Sequence, residues 1–164
     1  MSLEELKSID ASSLPIGKLI TMISRGQQIY LNHNLKDLGI NSSQLHLMFE
    51  ISHQSNINQE KIALRCNLNK GAVARSIKNL EEKGLLLRET DPENRRQNKI
   101  TLTDEGKRVL KESIKILKQW ESEVFKYYTD NDKLLLQKAL KEVVINTMEI
   151  NKREDSNESN KKEK

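Results

Sequence analysis

The sequence is poor in the residues that build disulfide frameworks, membrane spans and rigid loops. Among 164 residues there is one cysteine, Cys66, with two prolines and one tryptophan. A single cysteine rules out an intrachain disulfide and favours a reducing compartment. No unbroken apolar run is longer than three residues, whereas a membrane span needs about 20. Residues 1–5 also lack the basic and apolar segments of a signal peptide. We therefore expect a soluble, cytoplasmic protein.

Patterns that indicate catalysis or metal binding are scarce too. The histidines His33, His46 and His53 have no cysteine or carboxylate at a spacing that completes a metal set, so caps or surface positions are expected for them. We find no Ser/His/Asp order, phosphate-binding loop or nucleotide fingerprint. Cys66 is expected to be a small core residue, and a thiolate activated by the neighbouring Arg65 is the less favoured alternative. The expectation is a protein that is not an enzyme and has no cofactor or metal.

The positive charge is concentrated in the middle third of the chain. The formal net charge is +4, but residues 61–111 contain 13 Lys/Arg and 7 Asp/Glu, a net +6, so the remainder sums to −2. Such a concentration is expected of a segment that faces phosphates. The hydrophobic content of 35% indicates a lean core, and some apolar surface is expected to be buried against a partner.

Apolar periodicity divides the chain into helices and one hairpin. Helices are predicted at 14–35, at 42–54 with Leu45, Met48, Phe49 and Ser52 inward, at 104–128 with Thr103 as its N-cap, and at 133–150. Asn58 and Asn69 mark the starts of two short helices on a tight turn, a helix-turn-helix, and Gly84 ends the second of them. Residues 85–90 and 98–102 form the hairpin, whose connecting segment is polar and basic.

The expected fold class is therefore mostly α with a small β wing, a winged helix-turn-helix flanked by N- and C-terminal dimerisation helices. The predicted divisions are 1–40, an N-terminal dimerisation helix; 41–103, the DNA-binding lobe; 104–150, C-terminal dimerisation helices; and 151–164. The last of these contains no apolar residue, and a disordered tail is expected there.

The helix at 70–83 has the chemistry to enter the major groove of DNA. Val73, Ile77 and Leu80 form its inner stripe, and the other side is small or cationic. Alanines allow close approach and contact with thymine methyls, arginine reaches guanine, and lysines suit phosphates. Arginines at the hairpin tip could reach the minor groove. The residues predicted to contact DNA are Asn69, Lys70, Ala72, Ala74, Arg75, Lys78, Arg95 and Arg96. A merely solvated basic face is the alternative.

Three consecutive motifs resemble the MarR family of transcription regulators. They are Asn69 to Arg88, Asp91 to Arg96 and Leu102 to Gly106, and the likeness in helix order covers roughly residues 14–150. The resemblance implies a winged-helix dimer in which the helix at 70–83 is the recognition helix and Arg96 is the wing arginine of the minor groove. The family usually has Asp two residues before that arginine. Here the residue is Asn94, so a salt bridge to Arg96 is replaced by a hydrogen bond at best.

The terminal helices are expected to pair two copies of the chain, because the central region is too small to cover all their apolar stripes; a monomeric bundle is the alternative. Pairing would place two recognition helices about 34–36 Å apart, as a palindromic operator requires. The resemblance further implies a repressor released by a small, often aromatic, ligand bound in a crevice between the DNA-binding lobe and the helical base. Two other hypotheses stay open: a protein-interaction module that does not bind DNA, and a metal- or redox-responsive variant of the regulator.

Overall fold

The backbone is built from seven α-helices and one two-stranded sheet within the described part of the chain. A computed structural model describes residues 1–54, 57–66, 68–90 and 98–162. The helices are α1 (Leu3–Ser8), α2 (Ile16–Asn34), α3 (Ser42–His53), α4 (Gln59–Cys66), α5 (Lys70–Glu82), α6 (Asp104–Val124) and α7 (Asp130–Lys162), and the strands are β1 (Leu86–Thr90) and β2 (Asn98–Leu102). Short 3₁₀ turns lie at Ala11–Ser13 and Lys36–Leu38. The mostly helical fold with a small β wing is confirmed.

Side-chain caps define the helix-turn-helix as expected. The Asn58 carboxamide accepts from Lys61 N at 2.9 Å, and the Asn69 carboxamide accepts from Ala72 N at 2.7 Å. Each cap satisfies a backbone donor that the first turn of a helix leaves without an intrahelical partner. At the far end of α5, Gly84 has φ +68°, the left-handed conformation that glycine adopts without strain.

The wing is an antiparallel hairpin with one further bridge. Leu86 pairs with Leu102 and Thr90 with Asn98. Ile57, which precedes α4, adds a bridge to the other edge of β2, with Ile100 N donating to Ile57 O at 3.0 Å. Ile57 and Ile100 are buried, so this bridge joins the helix-turn-helix to the wing through both backbone and core.

The core lies beneath α5. Val73, Ile77 and Leu80 are each 0% exposed, which confirms the predicted inner stripe. They share one apolar cluster with residues of α2, α3, α4, the wing and the first half of α6: Leu31, Leu35, Leu47, Met48, Ile62, Ile100, Val109 and Leu110 among others. A buried helix face of this kind fixes the orientation of the opposite face towards solvent.

The start of α6 is anchored to the wing. Thr103 Oγ1 accepts from Gly106 N at 3.0 Å and donates to Gly84 O at 2.7 Å, while Thr103 N donates to Leu85 O at 3.1 Å. The predicted cap at Thr103 is confirmed. Gly106 is buried against the Leu85 carbonyl, so α6 approaches the wing at backbone distance.

The structure differs from expectation in three places. The helix α1 was not predicted. Within α3, Ser52 is exposed and Ile51 is buried instead, because the inner face follows a stripe one residue earlier than expected. The last helix continues past Ile150 to Lys162, where a disordered tail was expected. Lysine, arginine and glutamate are good helix formers, so helical backbone there requires no apolar contact.

The described chain falls into two compact units, Met1–Trp120 and Glu121–Lys164. The first contains the apolar core and the wing. The second consists of the end of α6 and the whole of α7, and nearly all its apolar side chains are exposed, among them Leu136, Leu140 and Val143. No helix within the described residues is both long enough and apolar enough to cross a membrane.

Candidate nucleic-acid interface

The exposed face of α5 is centred on Arg75. Gly71, Arg75 and Lys78 are exposed along it, and Ala72 and Ala74 lie half-buried on its two flanks. Since Val73, Ile77 and Leu80 fill the core, none of these outer side chains is needed for packing. The structure therefore presents a ridge of small and cationic residues, of the kind that can approach a groove of DNA closely.

The guanidinium of Arg75 lies close to Gly71. A methyl group placed on Gly71 would stand 3.8 Å from Arg75 Nη1 and 3.5 Å from Asn69 Oδ1. The arginine thus folds back one turn towards the N-terminus of α5, the direction that helical side chains favour. Sequence reasoning had not singled out Gly71, because a glycine near a helix start has no signature of its own.

Two predicted phosphate-binding lysines have carboxylate partners. Lys70 Nζ donates to Glu60 Oε1 at 2.8 Å, joining α5 to α4, and Lys78 Nζ lies 3.8 Å from Glu82 Oε1. Both pairs are largely exposed. Each carboxylate therefore competes only modestly with other anions for its lysine. The hydrogen bond from Lys70 lowers the pKa of Glu60 below its usual value.

A buried amide ties α5 to α3. Gln44 is 6% exposed, and its Nε2 donates to Asn79 Oδ1 at 2.7 Å. Gln44 also forms a reciprocal capping box with Asn41: Gln44 N donates to Asn41 Oδ1 at 2.9 Å, and Asn41 N donates to Gln44 Oε1 at 3.1 Å. Buried amides are retained only when hydrogen-bonded, so this contact holds α5 at a defined rotation on the core.

At the base of the wing, an arginine bridges strand and helix. Arg88 Nη2 lies 3.4 Å from Glu81 Oε2, which joins β1 to the last turns of α5. The predicted wing-tip contacts Arg95 and Arg96, with Asn94, lie outside the described residues. Of the predicted DNA-contacting residues, Ala72, Ala74, Arg75 and Lys78 lie on one ridge, while Asn69 caps α5 and Lys70 pairs with Glu60 of α4.

Cys66 lies close to an ion pair that joins α3 to α4. Burial and the nearby Glu50 carboxylate raise the pKa of the Cys66 thiol, against the opposing effect of Arg65. The Glu50 carboxylate is itself bonded to Arg65 Nε at 2.5 Å. Among the described residues, no three His, Cys, Asp or Glu side chains are placed to hold a metal ion. A cavity of about 330 Å³ lies beside this cluster, lined in part by His46, Glu50 and Cys66.

Comparison with known proteins extends these observations. Residues 40–97 match the MarR family. The chain is 31% identical over 98 residues, 60% of its length and 60% of the relative's, to the uncharacterized HTH-type transcriptional regulator YdgJ of Bacillus subtilis. The match thus spans about 60% of the length of the curated relatives.

Solved structures show the same fold over most of the chain. A MarR transcriptional regulator from Methanosarcina mazei Go1 is 29% identical with a TM-score of 0.78, covering 82% of this chain and 97% of that one. A MarR mutant from E. coli, complexed with operator DNA, has a TM-score of 0.71 over 82% of this chain and 99% of that one. At 24% identity, that second likeness supports the fold alone. In the match over residues 40–97 and in its architecture, the chain is therefore similar to MarR-family regulators.

Proposed function

We propose that this chain is a transcription regulator that binds double-stranded DNA with sequence specificity as a homodimer. The observation that carries the proposal is the ridge on α5, where Arg75 is exposed and the whole opposite stripe is buried. Arg75 would read guanine in the major groove, Ala72 and Ala74 would lie against thymine methyls, and Asn69, Lys70 and Lys78 would contact phosphates. Arg95 and Arg96 are proposed to enter the adjacent minor groove.

Exposed apolar faces support the homodimer. In α2, Ile16, Ile20 and Ile23 are 70%, 40% and 59% exposed, and they repeat at the four- and three-residue steps of one helix stripe. The helix α7 separately exposes a series that includes Leu136, Leu140 and Val143. Exposed apolar stripes of this kind are typical of interaction sites in soluble proteins. A second copy would cover it and would present two α5 ridges to one duplex, which fits a palindromic operator.

The proposal extends to how the regulator is controlled. We propose a cytoplasmic repressor that a small, often aromatic, ligand releases from its operator by binding more tightly to one of two dimer arrangements. The raised pKa of Cys66 favours this mode over a thiol-based redox switch, since the thiolate is the reactive form.

Binding to DNA from around the protein's own coding region tests the central proposal. Fluorescence anisotropy against this DNA and a scrambled duplex, over a range of salt concentrations, separates specific from non-specific affinity. Arg75→Ala should cost about 1–3 kcal/mol on the specific duplex, whereas Lys78→Ala should weaken both duplexes alike and reduce the salt slope by about 1. Lys118→Ala, at an exposed site on α6, is the control and should change neither. A DNA affinity that changes neither with Arg75→Ala nor with salt concentration would favour the protein-interaction module instead.

Sedimentation equilibrium tests the homodimer. Ile23→Glu places a charge in the exposed α2 stripe and should shift the protein towards monomer, because an unpaired charge is costly in an apolar interface. Lys18→Glu, exposed on the opposite side of the same helix, is the matched control and should leave the association constant near that of the parent. A parent that sediments as a monomer at every concentration would refute the assembly.

A further inference from the structure

The structure contains a polar cavity that the proposed DNA contact does not use. It has a volume of about 510 Å³ and lies between the end of α2, the turn that follows, the start of α3 and the last turns of α5. Its polar lining consists of Asn32, Lys36, Asn41, Gln44, Asn79 and Lys83. The volume is within the range of small-molecule sites. No carboxylate lines it.

The hydrogen bonds around the cavity determine which way each amide faces. Backbone N–H groups can only donate, and Ser42 N bonds to Asn32 Oδ1 at 2.8 Å while Gln44 N bonds to Asn41 Oδ1 at 2.9 Å. Both oxygens are therefore acceptors without ambiguity. Gln44 is fixed in the same way, because its Oε1 accepts from Asn41 N at 3.1 Å. Its Nε2 must then donate, which makes Asn79 Oδ1 an acceptor at 2.7 Å.

Each asparagine oxygen at the cavity thus already accepts one hydrogen bond, whereas the asparagine nitrogens donate none. Among the described residues, the Nδ2 groups of Asn32, Asn41 and Asn79 have no hydrogen-bond partner. The lysines add to this excess of donors. Lys83 Nζ gives one bond to Gly39 O at 2.5 Å and retains two further N–H groups, and Lys36 has no partner in the described part of the chain.

Among the described residues, neither lysine forms an ion pair with a carboxylate. Glu81 pairs with Arg88 and Glu82 with Lys78, although both lie beside Lys83 in the sequence. The cavity therefore combines two cationic groups with three free amide donors, and no carboxylate lines it. Anionic oxygens bound by amide and ammonium donors form the stronger class of hydrogen bonds.

We propose that this cavity is a binding site for a small multiply charged oxyanion, a phosphate or carboxylate compound. The bound anion would bridge α2 and α5, since Asn32 and Lys36 belong to one side and Asn79 and Lys83 to the other. The inference concerns the protein alone and does not depend on the proposed DNA binding. A phosphodiester of DNA presents the same oxygens as a free anion, so the experiment separates these two sources.

Calorimetric titration of the full chain with inorganic pyrophosphate, at constant ionic strength, tests the site. Asn79→Asp retains an acceptor for Gln44 but replaces the free donor with a negative oxygen, and it should reduce affinity at least ~10-fold, as should Lys36→Gln. Lys118→Gln removes the same charge from an exposed position on α6 outside the cavity lining and should bind as the parent does. Thermal melts of each variant show that the fold is retained.

The outcomes are distinct. Binding lost in both cavity variants and kept in the control supports the site. If Lys36→Gln also weakens DNA binding and pyrophosphate competes with the duplex, the source of the anion is the DNA backbone. If DNA binding is unaffected, the source is a free small molecule. A parent dissociation constant weaker than ~1 mM, or equal binding by all variants, would overturn the proposal, the second outcome indicating an adventitious ion only.

Discussion

Replacing Gly106 by alanine should weaken the attachment of α6 to the wing. A methyl group at this position would overlap the carbonyl oxygen of Leu85, and it would stand 3.0 Å from the carbonyl carbon and 3.3 Å from Leu102 Cδ2. Leu85 O is also the acceptor for Thr103 N at 3.1 Å. The nearest obstacle is backbone, which cannot rotate away as the end of a side chain can. The overlap can therefore be relieved only if α6 or the segment that contains Leu85 moves.

The size of the effect follows from three contributions. Alanine is favoured over glycine within a helix by about 1 kcal/mol. Overpacking of a well-filled site costs about 1–3 kcal/mol, and weakening of the Thr103–Leu85 hydrogen bond adds about 0.5–1.5 kcal/mol. The net expectation for Gly106→Ala is a loss of about 1–3 kcal/mol in the free energy of unfolding. At about 2–4 °C per kcal/mol for a chain of this size, the melting temperature should fall by roughly 2–12 °C.

Gly26 provides a matched control in the middle of α2. A methyl group there meets no atom within 4 Å. Only the higher helix propensity of alanine should then contribute, so Gly26→Ala should raise the free energy of unfolding by about 0.5–1 kcal/mol. Thermal and urea unfolding followed by circular dichroism, at one protein concentration for all variants, measure both changes. The reasoning is wrong if Gly106→Ala melts at or above the parent, or if the two variants shift in the same direction.

Two further predictions concern ionisable groups. Glu60 should titrate below its usual pKa because Lys70 donates to it, so the stabilisation from this pair is present above the unfolded pKa and is lost as pH falls through the folded one. Carbon-13 NMR titration should show Lys70→Gln returning the Glu60 pKa to its usual value; an unchanged curve would contradict the ion pair. Cys66 should react with iodoacetamide at neutral pH more slowly than free cysteine, because burial and Glu50 raise its pKa. Glu50→Gln should accelerate the reaction, and equal rates in both proteins would exclude the electrostatic cause.

The parts of the fold that were predicted correctly depend on neighbours three or four residues apart. The caps at Asn58, Asn69 and Thr103 are local hydrogen bonds, and such bonds have consistent residue preferences. The inner stripe of α5 follows from helical periodicity in the same way. Of the candidate site, the residues on one side of one helix were therefore predictable. The roles of the wing arginines remain predictions.

Contacts between distant segments were not predicted. The carboxylate partner of Lys70 is ten residues away, on another helix, and the amide that orients Asn79 is 35 residues away. Neither pair has a spacing that a local rule could detect. The same holds for the bridge between Ile57 and Ile100, since many apolar residues could have filled that position equally well.

The amino-acid sequence by itself determined the order of helices and strands, the ends of the helix-turn-helix and the cationic side of α5, because short-range hydrogen bonds and periodic burial set these features. Only the tertiary structure decided that Lys70 of α5 pairs with Glu60 of α4. It also decided that the oxygens of Asn32, Asn41 and Asn79 each accept a bond from the protein while their Nδ2 groups stay free, so that a donor-rich cavity remains. The physical reason is that an amide or an ammonium group has many possible partners along the chain, and packing of the core selects among them by distance and direction.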